Sequence, residues 1–315
     1  MAHDQGNGYQ MILSIVITTR NRYQDLIGCL KSLQMSSLPK HTELIVVDDS
    51  STDETKDITT GDLKAYIAHV TVLHQRKQMM MVKSRNIGAK KARGKYILFV
   101  DDDNLVDPKM VSKLIYFAEK YPDYGIIGPS MSYANGKKYL DFQTINMFTG
   151  KTTGHINETN HKVSNSDGVP NVFMIRAEVF AKCGYFDEGL VQTFTEPDFA
   201  LHAKRSGYGC GIVSGAVTYH QTNKNDDLKP RGMGGMFEQK AYCLMRNRTV
   251  IVARYGSFIQ KIIYALIFSW FWPLTYSLLV LREFRFDLIK LYWLGFADGI
   301  EYLLTGKLNW SYIKR

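Results

Sequence analysis

A chain of 315 residues, 45% of them hydrophobic, can bury a full core in one large domain or two small ones, which excludes a disordered or fibrous protein. Lys and Arg total 39 against 30 Asp and Glu, a formal charge of +9. That balance suits nucleic acid, an anionic membrane face or nucleotide phosphates, and does not choose among them.

Residues 1–10 form a polar tail without a basic start and apolar run, so no cleavable secretory signal is expected. Strand patterns follow at Ile12–Thr19, Glu43–Val47, Val70–His74, Tyr96–Val100 and Gly125–Gly128. Between them Asp25–Met35, Asp53–Ile58, Val82–Ala92 and Pro108–Lys120 have helical patterns, the last opening on a proline suited to a first turn. Such β-α alternation predicts an α/β fold with a mostly parallel, Rossmann-like sheet covered by helices on both faces. Ligands of open α/β sheets bind beyond the carboxyl ends of the strands. This chain places Thr18, Thr19, Arg20, Asp48, Asp49, His74, Gln75 and Asp101–Asp103 there.

From 131 to 225 the alternation gives way to short mixed segments, closing in a strand-like return over Tyr208–His220. Residues 221–235 are polar and glycine-rich, as a linker or mobile loop is. Met236–Tyr255 has a helical pattern, and Ile262–Leu281 is twenty residues without a charge, just long enough to cross a bilayer. Pro273 interrupts it, however, basic residues flank both sides, and Phe286–Leu304 is a second semi-apolar, aromatic segment. These features favour helices lying in the membrane interface, with a single span or a helix of a soluble core as alternatives. The four cysteines, Cys29, Cys183, Cys210 and Cys243, lack CxxC spacing and fall in apolar or helical patterns, as reduced, buried thiols do. The triplets starting at Asn157, Asn247 and Asn309 are expected to be chance matches to the glycosylation pattern.

The chemistry concentrates in acids. Asp101-Asp102-Asp103-Asn104 closes an apolar strand, where carboxylates cost desolvation energy unless they meet a cation, so a divalent metal and a phosphorylated ligand are expected. A second pair, Asp48-Asp49, opens a turn whose Thr52 or Asp53 could simply cap the following helix.

In order along the chain, Ser14–Asn21, Val47-Asp48-Asp49-Ser50-Ser51-Thr52-Asp53, Arg85-Asn86-Ile87-Gly88, Ala92–Tyr96, Asp101–Asp103, Asn171–Arg176 with Gly184–Glu188, and Thr195–Leu201 followed by Gly207-Tyr208 form a set. This set resembles the family-2 glycosyltransferases of the GT-A fold over nearly the whole chain. The resemblance implies a nucleotide-sugar donor, usually a UDP- or GDP-sugar, and Mg²⁺ or Mn²⁺. Residues 11–130 would be the nucleotide-sugar-binding half of one domain and 131–225 its acceptor-binding half. Residues 226–315 would hold a mobile loop and membrane-associated helices.

On that reading Thr18 and Arg20 flank the donor, Asp48 or Asp49 hydrogen-bonds the base, and Arg85 contacts the diphosphate. Asp101 and Asp102 face the donor, Asp103 is the direct metal ligand, and Asp101 and His220 complete the metal's surroundings. Glu196 is the general base with Asp198 in reserve. Here the sequence departs from the family pattern: Glu replaces the usual Asp, Pro197 follows it, and His202 stands where Arg is common. The Gln-x-x-Arg-Trp signature of processive synthases is absent, so transfer of one sugar is expected.

The expected function is inverting, metal-dependent sugar transfer to a lipid-linked or cell-envelope glycan at the cytoplasmic face of a membrane. Two alternatives are weaker. A sugar-nucleotide nucleotidyltransferase needs a glycine-rich phosphate loop after the first strand, where Thr18-Thr19-Arg20-Asn21-Arg22 has no glycine. A non-catalytic membrane or nucleic-acid module needs clustered basic and aromatic residues, whereas the basic residues here are spread, so no nucleic-acid partner is expected.

Overall fold

The computed structural model describes residues 11–157, 163–221, 238–282 and 284–312. The polar segment 1–10, most of the glycine-rich stretch 221–235 and the rest of the Asn157 triplet lie outside the described residues.

Strand β1 (Leu13–Thr19), helix α1 (Tyr23–Gln34) and β2 (Thr42–Asp48) open the chain, followed by α2 (Thr60–Leu63), β3 (His69–His74), α3 (Met81–Lys91) and β4 (Tyr96–Asp101). The apolar residues of β1, β2 and β4 are buried without alternation, because helices cover both faces of the sheet. These strands run parallel, with Thr18 opposite Val47 and Asp101, and Thr19 opposite Asp48. Register alone therefore gathers the polar strand ends on one edge. The helix expected over Asp53–Ile58 is a 3₁₀ turn at Glu54–Asp57. The Asp53 carboxylate caps that turn, and a capping box at Thr59 starts α2 afresh.

Next come β5 (Asn104–Val106), α4 (Met110–Lys120), β6 (Tyr124–Tyr133), β7 (Lys138–Leu140), β8 (Phe142–Asn146), β9 (Lys151–His155), β10 (Val163–Asn165) and β11 (Val172–Arg176). Helices α5 (Ala177–Cys183) and α6 (Thr195–Arg205) then lead to β12 (Gly209–His220). The main sheet has the order β10-β12-β6-β11-β4-β1-β2-β3, with β5 added on β12 and β7 on β6. Strand β11 enters antiparallel between β4 and β6, so one sheet runs through both the nucleotide-like half and the mixed half. Strands β8 and β9 form a separate hairpin.

Two glycines make the close packing possible. A Cβ on Gly88 of α3 would lie 2.4 Å from a Val16 methyl on β1. A Cβ on Gly94 would meet only backbone, 2.5 Å from the Ser14 nitrogen. Beside it the Ser14 hydroxyl donates to Glu43 at 2.6 Å and accepts from the Gly94 N–H at 2.8 Å, while Arg93 grips the same carboxylate through Nε and Nη2 at 3.0 and 2.7 Å.

Helices make up most of the described C-terminal part up to Thr305: α7 (Glu238–Tyr255), α8 (Phe258–Ile263), a π-helical turn at Tyr264–Phe268, α9 (Ser269–Leu281) and α10 (Phe286–Thr305). Residues Phe258–Leu281 form one continuous helix, long and apolar enough to cross a membrane by length and composition. Helix α7 packs on α10, where Gly295 leaves room for the Tyr242 carbonyl, and the buried Tyr242 hydroxyl donates to Asp298. Helix α7 is also tied to the sheet domain: Arg254 pairs with Asp198 at 2.9 Å and Asp187 at 2.6 Å, and its Nε donates to the Tyr302 hydroxyl at 2.9 Å.

Removing the Arg254 charge strands the buried Asp198 carboxylate, so Arg254→Met should destabilise the fold by about 3–5 kcal/mol. Gly88→Ala forces one side chain to shift and should cost about 1–3 kcal/mol. Denaturant midpoints of the two purified variants check both values and their order.

Candidate functional site

The cleft over the strand ends has a volume of about 920 Å³ and is walled by Thr18, Arg20, Asp49, Asp101–Asp103 and His220. Of the site residues expected from sequence, Asp48, Arg85, Glu196 and Asp198 do not reach this wall.

Each carboxylate at the edge has a different environment. Asp48, 3% exposed, accepts from the Ser51 N–H at 3.0 Å and pairs with His74 Nδ1 at 2.9 Å, so it is spent on its own turn. The hydrogen bond to Asp48 raises the His74 imidazole above its ordinary range against modest burial. Asp49 lies on the cleft, its two oxygens taking the Met79 and Met80 N–H groups at 2.6 and 2.9 Å, which fixes the entry to α3. Asn21, at φ 53°, bridges the β1 and β2 ends by accepting from the Thr52 N–H at 2.7 Å.

Burial raises Asp101 even though Arg85 Nη2 approaches it to 2.6 Å. Burial pushes Asp102 up to about 7 despite Arg22 at 3.0 Å. Asp103 is also buried, but His220 and Arg22 outweigh that and hold it below the usual carboxylate range. Its Oδ2 lies 2.9 Å from Arg22 and 3.5 Å from His220 Nε2, and Asn104 donates to its Oδ1 at 3.0 Å. The pairing of β5 with β12 sets His220 opposite Asn104, the residue after Asp103, and the Gln221 N–H closes on the Asp103 carbonyl at 3.1 Å.

Among the described residues no three His, Cys, Asp or Glu side chains converge as a complete metal shell. Asp103 and His220 do converge, on the cleft, and one carboxylate with one imidazole is a donor set that a divalent cation accepts when ligand oxygens fill the remaining positions. Asp101, expected to share that role, is engaged by Arg85 instead.

Arg85 lies beneath the cleft, 3% exposed, and bonds both Asp101 and Glu196 while its guanidinium packs 5.4 Å from the Phe173 ring centre. It therefore faces two carboxylates and not the open space where a diphosphate would lie. Burial works to raise Glu196, but Arg85 overcomes it and leaves this carboxyl below its usual range, ionised at neutral pH. The Thr195 hydroxyl donates to its other oxygen at 2.7 Å. Asp198, two residues on, points elsewhere: it bonds Arg254 and the Tyr255 hydroxyl, both at 2.9 Å, and lines a separate cavity of about 350 Å³.

Sequence reasoning missed several cleft residues. Arg22 bridges Asp102 and Asp103, and Gln192, Gln239, Lys240 and Tyr312 form the far wall. Arg22 had a signal in its place just past the first strand. The others come from segments with no motif of their own. Asn86 likewise acts at a distance, its amide oxygen accepting from the Phe186 N–H at 3.1 Å and its nitrogen donating to the Phe186 carbonyl at 2.9 Å.

Comparison with known proteins agrees with this architecture. The chain is 37% identical over 112 residues to the poly(ribitol-phosphate) beta-glucosyltransferase of Bacillus spizizenii, covering 35% of this chain and 18% of that protein. Matches to the first curated relatives span only 24% to 40% of their length. Among solved structures, S. aureus TarS 1-349 in complex with UDP-GlcNAc superposes with a TM-score of 0.55 at 18% identity, covering 94% of this chain and 93% of that one. The mannosyltransferase PcManGT of Pyrobaculum calidifontis, in complex with GDP-Man and Mn²⁺, superposes with a TM-score of 0.59 at 13% identity, covering 95% and 88%. The family model "Glycosyl transferase family 2" matches residues 14–184, more than half of the chain. With the sheet order and the strand-end acids already placed, the chain belongs to glycosyl transferase family 2 and has the GT-A fold.

Proposed function

We propose that this chain is a glycosyltransferase that moves one sugar, with inversion and with a divalent metal, from a nucleoside-diphosphate sugar to a lipid-linked or cell-envelope glycan. The cytoplasmic face of a membrane is the place where we propose it acts. The observation that carries the reading is the Asp103–His220 pair on the cleft, with Glu196, at the start of α6 behind the cleft wall, one guanidinium away from Asp101. The UDP-sugar and the GDP-sugar with Mn²⁺ held by the two solved neighbours support a nucleotide donor and a metal.

In this reading the residue 11–130 half holds the nucleotide and residues 131–225 hold the acceptor. Asp49, which lines the cleft, is preferred over Asp48 for the base contact, with Thr18 and Arg20 beside it. Asp101 and Asp102 border the donor, and Asp103 and His220 hold the metal. A bound Mg²⁺ or Mn²⁺ supplies charge compensation for the departing diphosphate. Glu196 is the base: the acceptor hydroxyl attacks the anomeric carbon from the face opposite the diphosphate, and its proton passes to the Glu196 carboxylate. Arg85 keeps that carboxylate ionised and oriented, in place of the diphosphate contact expected of it. Asp198, neutralised by Arg254, has a supporting role instead.

Membrane attachment rests on the long apolar helix. Phe258, Leu266, Trp270, Phe271, Leu274 and Leu278 are exposed on it. Its other side is docked, with Tyr264 buried against Thr249 at 2.9 Å and Trp272 Nε1 donating to the Thr149 carbonyl at 2.6 Å. A helix fastened lengthwise to a water-facing domain suits the interface better than a perpendicular span.

Asp103→Asn is expected to lower turnover by about a hundredfold or more, as is excess chelator, because the compensated leaving group is lost in both cases. Nucleoside-diphosphate release from a panel of UDP- and GDP-sugars measures it, and full activity in chelator refutes the metal. Glu196→Gln should lower kcat by about 10²–10⁴-fold while leaving donor KM nearly unchanged. Replacing Leu266, Trp270 and Phe271 together by Ser should cut co-sedimentation with anionic vesicles; equal sedimentation of the variant and the parent would exclude the interfacial helix.

A further inference from the structure

Between Leu190 and α6 the backbone takes a path that ordinary residues avoid. Val191, Thr193 and Phe194 have φ of 58°, 59° and 59°, in the left-handed region. Two of the three are β-branched, and such conformations cost about 1–3 kcal/mol each unless their surroundings impose them. This path decides where α6 begins, since the Phe194 carbonyl accepts the Asp198 N–H at 2.9 Å as its first helical bond. It thereby decides where Glu196 points, and it sets Gln192 on the cleft wall.

What imposes the path is a pair of residues on α7, more than fifty positions away. The Asn247 amide nitrogen lies 2.8, 2.7 and 3.0 Å from the carbonyl oxygens of Leu190, Gln192 and Thr193. Arg246 Nη2 donates to the Gly189 carbonyl at 2.6 Å, and its Nε donates to the Asn247 amide oxygen at 3.0 Å, which fixes the direction of the amide. Both side chains are fully buried. The two hydrogens of this amide face three carbonyls of one strained loop and no solvent, while its oxygen is held by Arg246. Its burial also closes the Asn247 glycosylation triplet to modification in the folded chain, in line with a chance match.

We infer that Asn247 is a positioning residue for sugar transfer: by holding carbonyls 190–193 it keeps the left-handed path that aims Glu196. The inference rests on Glu196 being the base. On this inference α7, which precedes the apolar helix Phe258–Leu281, has a part in turnover.

The test uses the full chain carrying Asn247→Leu, which keeps bulk and removes the donors, and Asn247→Ala, which removes the same donors with neither bulk nor buried charge and is measured where the leucine variant does not fold. Amide hydrogen exchange over residues 189–196 should quicken by about tenfold or more, with β1–β4 amides unchanged. On a UDP- or GDP-sugar that the parent consumes, kcat should fall about tenfold with donor KM within about twofold. In a Glu196→Gln background the same substitution should cost less than about twofold further, because its effect runs through that side chain. Unchanged exchange in the loop, exchange raised evenly across the domain, or an additive kcat loss with Glu196→Gln itself impaired overturns this inference alone. If Glu196→Gln retains parental turnover, the base assignment fails first and takes the catalytic half of the inference with it.

Discussion

A guanidinium that cannot lose its proton is buried at the centre of this molecule, and the surrounding elements are arranged to neutralise it. Arg85 has one carboxylate from the end of β4 and one from the start of α6. One carboxylate already balances the charge, the second satisfies the other guanidinium nitrogen, and leaving the buried arginine without either partner would cost about 3–5 kcal/mol. The requirement draws together two chain segments separated by more than ninety residues, Asp101 and Glu196, and the aromatic floor at Phe173 closes the space below. Asn86, the next residue, clamps the Phe186 backbone, so α3 fastens the segment between α5 and α6 to the strand edge through adjacent side chains. Residues that look like ligand contacts in a one-dimensional motif can thus be the struts that place the contacts.

Much of the first half was legible in the sequence because burial on both faces leaves a plain record. Leu44–Val47 of β2 and Tyr96–Val100 of β4 are unbroken apolar runs, and the acids that end them, Asp48 and Asp101, are visible because nothing else in those runs is charged; β1 ends in Thr18-Thr19 instead. Gly88 could be recognised within its motif, though its reason, a Val16 methyl in contact, needed the packed helix. The reversed strand β11 was not legible: Val172–Ile175 is apolar on both faces, as the parallel strands β2 and β4 are, and direction leaves no trace in composition. Nor was the difference between Glu196 and Asp198. Two acids spaced two apart at a helix start have the same pattern, and only the partners supplied by Arg85 and Arg254 separate them. The C-terminal helices were recognised by their apolar, aromatic content, while their polar grip on residues 189–198 depends on side chains that a hydropathy pattern passes over.

Strand β12 carries an irregularity whose effect reaches the cleft. Val213 pairs with Pro129 and Val217 with Ser130, so three extra residues on one strand are accommodated across a single step of the other. Without that bulge the strand would continue in step and bring Val217, not His220, opposite Tyr133. The identity of the side chain beside Asp103 is therefore a matter of counting, set by the short segment Ser214-Gly215-Ala216, in which Gly215 takes φ 92°. Relatives that gain or lose a residue there would exchange the side chain beside Asp103 without any substitution at the position itself. An alignment that slides its gap by a few columns would then equate residues that never occupy the same place in space, so that length variation in a strand ordinarily treated as invariant framework acts as a substitution at the cleft.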